Sequence, residues 1–315
     1  PVYNDWPSLG MLINELDLLA AELTPDIQVT IINDGSNATP HDHLIEAVKV
    51  QNITQITQID LLSNVGNQRA VAIGLSEVVR NGDFDALIIM DSDGEDRVAD
   101  IPILLELAEQ SEEHIVVAER ATRSSSVSFK IFYFLYRLLF RVLTGKRLSF
   151  GNFSVVPYKA AQALASMPEL WSNLPSTILR SRFPIVSHRV PRGMRYEGDS
   201  KMNTVALIVH GLSVIAAYSE TLFVRILLGC SLLVLLSFLA IIIALAVKFF
   251  TDLAIPGWTS NVVLGLSIIL IQTIFLALTS TILLLQNRMA AKHGPIVDSH
   301  NFISRSIVLS NTRSK

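Results

Sequence analysis

Along the first 120 residues, short runs of β-branched and apolar residues alternate with stretches whose apolar positions recur at helical spacing. The runs Ile27–Asn33, Ile59–Ser63, Ala86–Met90 and Ile115–Ala118 predict strands, each closed by polar or glycine-bearing residues that read as a turn. Leu9–Leu23, His43–Val50, Gln68–Val79 and Ile101–Gln110 predict helices between them. Such alternation predicts an α/β, Rossmann-like domain with parallel strands, whose ligands gather beyond the carboxyl ends of the strands. The clusters Asn33-Asp34-Gly35-Ser36, Asn64-Val65-Gly66-Asn67, Asp91-Ser92-Asp93 and Glu119-Arg120 are therefore expected to meet in one crevice.

Further along, the pattern changes. Ile226–Val247 gives about 22 residues without a charge and Val262–Leu285 about 24, each enough for a helical crossing of a bilayer. The connection Lys248–Asn261 carries Asp252, Pro256, Gly257 and Trp258, which suit a turn and an interfacial anchor. Upstream, Val127–Leu143 is apolar yet places Lys130, Arg137 and Arg141 on one stripe. That pattern fits a helix lying in the membrane interface, or a buried helix with snorkelling cations. Asn203–Glu220, uncharged until its last residue, predicts a second helix leading into the first span. The expected organisation is a globular domain over residues 1–200, a juxtamembrane helix at 201–222, a two-helix transmembrane hairpin within 223–288 and a polar tail at 289–315 without assignable chemistry. Arg225, Arg288 and Lys292 flank the spans, so the positive-inside bias puts the globular domain and both termini in the cytoplasm. Packing between hairpins would support a homo-oligomer.

Charged residues make up 17% of the chain against roughly 25% in soluble domains, and the deficit is local to the two apolar runs. A net charge of −3 with a pI near 6.2 points away from nucleic acid. Cys230 stands alone inside an apolar run, which excludes an internal disulfide and a cysteine-rich metal site. The opening Pro1–Asp5 has no basic or apolar leader, so no cleavable signal is expected, and strand residues are expected ahead of Pro1. His41-Asp42-His43 reads as exposed polar residues, since no further histidine lies near in sequence.

The chemistry gathers at Asp91-x-Asp93-x-Glu95-Asp96, directly after an apolar strand. Alternate residues of an extended segment face the same way, so Asp91, Asp93 and Glu95 can project together. Three converging carboxylates repel unless a cation sits among them, and hard oxygen ligands favour Mg²⁺ or Mn²⁺ shared with substrate phosphates. The alternative is an acidic loop capping the helix that starts near Asp100.

Pro1-Val2-Tyr3-Asn4-Asp5, Asn33-Asp34-Gly35-Ser36, Asn64-x-Gly66-Asn67 and the acidic motif resemble, in order and spacing, the family 2 glycosyltransferases of the GT-A fold. Arg120-x-x-Arg123, the apolar-basic helix, Gly151-Asn152-Phe153 and Arg195-Tyr196-Glu197-Gly198-Asp199-Ser200-Lys201-Met202 resemble that family's polyprenyl-phosphate branch. The branch includes the dolichol-phosphate mannose synthases and the undecaprenyl-phosphate glucosyl- and aminoarabinosyltransferases. The resemblance implies an inverting, metal-dependent transferase that moves a hexose from a nucleotide-diphosphate sugar, UDP-glucose by default, to undecaprenyl or dolichyl phosphate at the bilayer.

It also implies roles for particular residues. Pro1, Tyr3 and Asp5 would line the nucleoside pocket, with Asp34 near the base or ribose and Gly35 and Asn64 beside it. Asp91 and Asp93 would meet the diphosphate and its Mg²⁺ or Mn²⁺, with Glu95 as a further metal ligand where the family usually has Gln. Arg120, Arg123 and Ser200 would meet the acceptor phosphate. Asp93, Arg195 and Lys201 would carry catalysis. Asn33 and Asn152 depart from relatives that often have a carboxylate at these places. Asn accepts no proton usefully at neutral pH, a loss that an ionised phosphate nucleophile tolerates better than a sugar hydroxyl does. A glycolipid or polysaccharide hydroxyl acceptor, and a catalytically silent nucleotide-binding protein, are the alternatives.

Overall fold

The computed structural model describes residues 1–38, 50–82, 84–111, 113–120, 141, 145, 149–197, 218–251, 255–289 and 293–312. The helix expected from His43, the segment His41-Asp42-His43, all of Val127–Leu143 except Arg141, and residues 203–217 lie outside them. So do Arg123, Ser200 and Lys201. The chain divides into two compact units, one of residues 1–134, 147–217 and 292–315, the other of residues 135–146 and 218–291.

In chain order the strands are β1 (Gln28–Asn33), β2 (Gln55–Leu61), β3 (Ala86–Ile89), β4 (Ile115–Arg120), β5 (Ser154–Pro157), β6 (Ile185–Val190) and β7 (Ile303–Asn311). The first unit carries the helices α1 (Trp6–Ala20), α2 (Asn67–Asn81), α3 (Ile101–Gln110), α4 (Tyr158–Ala165) and α5 (Leu174–Ser181). Two sheets result, with orders β1-β2-β7 and β3-β5-β4-β6. The expected parallel pairing is joined by two antiparallel strands. β1 and β2 are parallel, as are β4 and β6, but β5 runs antiparallel between β3 and β4, and β7 runs antiparallel to β2.

The pleat explains how the first sheet is covered. Ile31 packs with α1 residues Leu9, Leu12 and Ile13, whereas its neighbour Ile32 faces α2. A Cβ at Gly74 of α2 would come within 2.7 Å of Ile32 Cγ1, so that helix approaches the strand only because glycine stands there. A second core joins α2, α4 and α5 to β3, β4 and β5 through Ile89, Val117, Val156, Leu164 and Ile178. β2 begins at Gln55, earlier than the apolar run suggests, because Gln58 is buried and donates to the Asp60 carboxylate instead of standing out as an apolar position.

The segment expected to be a featureless tail belongs to this unit. A short helix, Pro295–Asp298, precedes Ser299, whose hydroxyl donates to Glu77 Oε1 at 2.8 Å and accepts from Arg80 at 3.1 Å. β7 then adds a strand along β2, and Thr312 returns its N–H to the Thr54 carbonyl. Ile303 stands apart from the short run Ile307-Val308-Leu309 across Ser304-Arg305-Ser306, a weak strand signal, so the pairing had no clear mark in hydrophobicity alone.

The second unit is dominated by α6 (Ser219–Phe250) and α7 (Trp258–Met289), both long and apolar enough to cross a membrane. Their long apolar windows are only 11% and 6% buried, which is a lipid-facing pattern and not that of soluble core helices. Cys230, Ser237 and Ala244 of α6 are buried at seven-residue spacing, and Thr273 and Ser280 of α7 likewise. Small residues on that period let two helix backbones approach closely where lipid offers no hydrophobic drive for association.

Candidate functional site

The polar clusters at the strand ends do converge. After β1, the Asp34 carboxylate accepts from the Val65 N–H at 2.7 Å and the Gly66 N–H at 3.0 Å, locking this turn onto the loop before α2. Gly35 sits at φ +66, and a Cβ on it would lie 2.5 Å from the Asn64 nitrogen, so only glycine fits between the two loops. Burial pushes the Asp34 carboxyl above the usual range, opposed by those two N–H groups. Val2 bridges Asn33, Ser92 Oγ donates to the Pro1 carbonyl at 2.8 Å, and Asn4 Oδ1 accepts from the N–H groups of Asn37 and Ala38. Tyr3 is exposed beside them.

The acidic turn after β3 is built around Asp96, which is 1% exposed. One of its oxygens accepts from the Asp91 N–H at 2.9 Å, and the other takes Arg120 Nε at 3.0 Å together with Nη2. Arg120 closes β4 and also reaches Asp91 at 3.5 Å and Glu95 at 3.3 Å. Burial pushes the Asp96 carboxyl up to about 7, with the Asp91 charge adding to the rise and Arg120 opposing it. Burial disfavours the Arg120 cation as well, but Asp96 and Asp91 more than offset this and hold it charged. Asn67 and Asn152 each donate an amide N–H to Asp91 Oδ1 at 3.2 Å. Asn152 in turn accepts from Gln68 Nε2, and the Gln68 carbonyl oxygen accepts from the Leu174 N–H.

The segment after β6 lies against this turn. Gly193 donates its N–H to the Glu95 carbonyl and Tyr196 donates to the Asp93 carbonyl, both at 3.0 Å. A Cβ on Gly193 would meet the Gly94 carbonyl at 2.1 Å, which explains the glycine. Arg195 then spans two carboxylates, Asp5 at 3.0 Å and Asp93 at 3.4 Å, while Arg192 pairs with Glu95. Burial raises the Asp93 carboxyl, the Asp91 and Glu95 charges add to it, and the Glu95 N–H and Arg195 pull it back.

The structure thus gathers Pro1, Asp5, Asp34, Gly35, Asn64, Asp91, Asp93, Glu95, Arg120 and Arg195 at the strand ends. Among the described residues, no three carboxylate, imidazole or thiolate side chains form a metal-ready group. Glu95 pairs with Arg120 and Arg192, whose guanidinium groups supply positive charge beside it. Gln68, Arg192 and the structural role of Asp96 were not singled out from the sequence. Only Asp96 and Arg192 carried a signal, the first inside the acidic motif and the second beside a glycine after a strand.

Mixed sheets flanked by helices, with an acidic turn at the carboxyl end of β3, make this a GT-A fold. A mycobacterial protein of known crystal structure overlays with a TM-score of 0.50 at 12% identity, covering 70% of this chain and 72% of that one. The chain belongs to glycosyl transferase family 2, whose model matches residues 1–161. It is 28% identical over 212 residues to the undecaprenyl-phosphate 4-deoxy-4-formamido-L-arabinose transferase of Erwinia tasmaniensis, covering 66% of this chain and 63% of the relative. The chain therefore spans less than two thirds of that relative's length. The transferase of the same name from Serratia proteamaculans is 25% identical over 274 residues, covering 86% of this chain and 81% of the relative.

Proposed function

We propose that this chain is a membrane-anchored, inverting glycosyltransferase that moves a sugar from a nucleoside-diphosphate donor to a polyprenyl phosphate. The observation that carries the reading is the meeting of the Asp34 turn, the acidic turn and the guanidiniums of Arg120 and Arg195 at the ends of β1, β3 and β4. The names of the relatives above add the acceptor class, since both are called undecaprenyl-phosphate transferases.

The nucleoside would lie along Pro1–Asp5 and Asp34, and the diphosphate beside Asp91 and Asp93. An acceptor phosphate oxygen attacks the anomeric carbon, the bond from that carbon to the diphosphate oxygen breaks, and the nucleoside diphosphate leaves with the electron pair. The second pKa of a phosphate monoester is about 6, so at neutral pH the nucleophile is already ionised and no base is needed. This agrees with Asn152, whose amide is engaged with Asp91 and Gln68. Arg195, held between Asp5 and Asp93, is placed to neutralise charge growing on the leaving group. Arg120, Arg123, Ser200 and Lys201 are proposed for acceptor and diphosphate charge.

Asp91 and Asp93 retain 25% and 22% of their side-chain exposure, and one or two such carboxylates are the set that Mg²⁺ takes when phosphates complete its shell. These two residues would hold Mg²⁺ or Mn²⁺, which supplies Lewis-acid stabilisation of the departing diphosphate. The hairpin α6–α7 is proposed as the anchor, with both flanks in the cytoplasm. The pairing of β2 with β7 supports placing those flanks on one side, because strand partners cannot lie across a bilayer from each other.

The test is direct. Membranes containing the full chain are incubated with radiolabelled UDP-glucose, GDP-mannose or UDP-pentoses and undecaprenyl or dolichyl phosphate, then extracted into organic solvent. A donor-dependent, acid-labile labelled lipid is expected, lost on EDTA treatment and in Asp93→Ala. Label on an acid-resistant product would move the assignment to a hydroxyl acceptor, and no label with any donor would refute transfer.

A further inference from the structure

We infer that Arg305, on the strand that follows the membrane hairpin, is a positioning residue for the nucleotide pocket, acting through Asp60 and Asn33. The three residues stand side by side across the first sheet. Asn33 of β1 is in register with Asp60 of β2, and Asp60 is in register with Arg305 of β7. Cross-strand neighbours in register share a face, so their side chains meet.

Here they do so as a chain of hydrogen bonds. Arg305 Nε donates to Asp60 Oδ2, and Asn33 Nδ2 donates to Asp60 Oδ1 at 2.7 Å. The other end of the Asn33 amide accepts from the Ser36 N–H at 3.1 Å, and Ser36 Oγ accepts from the Asn4 N–H at 2.9 Å. An amide group has one donor end and one acceptor end, so fixing the Asp60 side of Asn33 fixes which end faces Ser36. The turn so oriented is the one whose next residue, Asp34, clasps the loop at Val65 and Gly66.

Asp60 is 7% exposed, and a buried carboxylate with two oxygens needs more than one partner. Without Arg305 it keeps only the amides of Asn33 and Gln58. The Asp60 carboxylate would then be less tightly held and would carry the Asn33 amide with it as it turns, loosening the loop that Asn33 braces. Arg305 itself is mostly exposed at its side chain, so its removal leaves the backbone pairing of β7 with β2 in place. The inference rests on the nucleotide-donor reading above, and goes beyond it in giving the C-terminal strand a role in donor binding.

The experiment titrates UDP and GDP into the purified full chain by calorimetry. Arg305→Ala is expected to weaken whichever nucleotide binds by about three- to tenfold, the loss of roughly one net hydrogen bond. Arg305→Lys should restore affinity to within about twofold, because it returns a cation to Asp60. Combined with Asn33→Ala, Arg305→Ala should add almost nothing, since the two act along one chain. Ser306→Ala, next along the strand, should leave binding unchanged. If the wild type binds and Arg305→Ala binds equally well, or its effect multiplies independently with that of Asn33→Ala, the positioning role is wrong while the donor reading stands. If the wild type binds neither nucleotide, the donor reading fails and this inference falls with it.

Discussion

Replacing Arg120 with Met isolates the electrostatic design of the acidic turn. The guanidinium lies within reach of Asp91, Glu95 and Asp96, and Asp96 has no exposed side-chain surface of its own. Met keeps an apolar stem like that of Arg but removes the guanidinium and every donor, so a buried carboxylate loses both Nε and Nη2 at one stroke. Breaking a buried ion pair from one side costs about 3–5 kcal/mol. Arg120 is 20% exposed and two of its partners are partly open, which places the expected loss near the lower end, about 3 kcal/mol. Equilibrium urea unfolding of the detergent-solubilised full chain at neutral pH, followed by tryptophan fluorescence, measures it. Asp96, held at about 7 even beside Arg120, takes up a proton at neutral pH once the cation is gone, so adding Asp96→Asn to the variant should change its stability little. An Arg120→Met protein within about 1 kcal/mol of the wild type would refute the idea that this cation neutralises the turn.

Two further predictions follow the same logic. Gly35→Ala forces a Cβ to 2.5 Å from the Asn64 nitrogen at a left-handed φ, so a loss of about 2–3 kcal/mol and weakened nucleotide binding are expected from unfolding and titration curves. Asp17 accepts from the N–H groups of Gln51, Asn52 and Ile53. Burial alone would raise its pKa, but these bonds more than offset it and hold it below the usual carboxylate range. Its stabilisation is therefore present above the unfolded value of about 3.9 and lost as pH falls through the lower folded value. Asp17→Ala should cost about 1–3 kcal/mol at pH 7 and much less below pH 3, measured across a pH series.

Much of the site could be read from residue order because its parts are local. Asp34-Gly35-Ser36 and Asp91-x-Asp93 each follow a strand directly, and a strand's end is where α/β folds keep their chemistry. What escaped was non-local or polar. The α3 helix matches its expected bounds at Ile101–Gln110, whereas the start of β2, ahead of the expected Ile59, hid behind buried Gln58. β5 and β6 are short and were not marked, so the antiparallel insertion was invisible. The pairing of Glu95 with Arg192 could not be read either, because the two lie 97 positions apart.

The union of β2 with β7 sets an order of events during synthesis. Asp60 and Arg305 are 245 positions apart, and both membrane helices are translated between them. Until the last strand leaves the ribosome, the β2 edge is open and Asp60 lacks its cation, a state exposed to wrong partners. The first sheet is thus completed only after both long apolar helices have been translated.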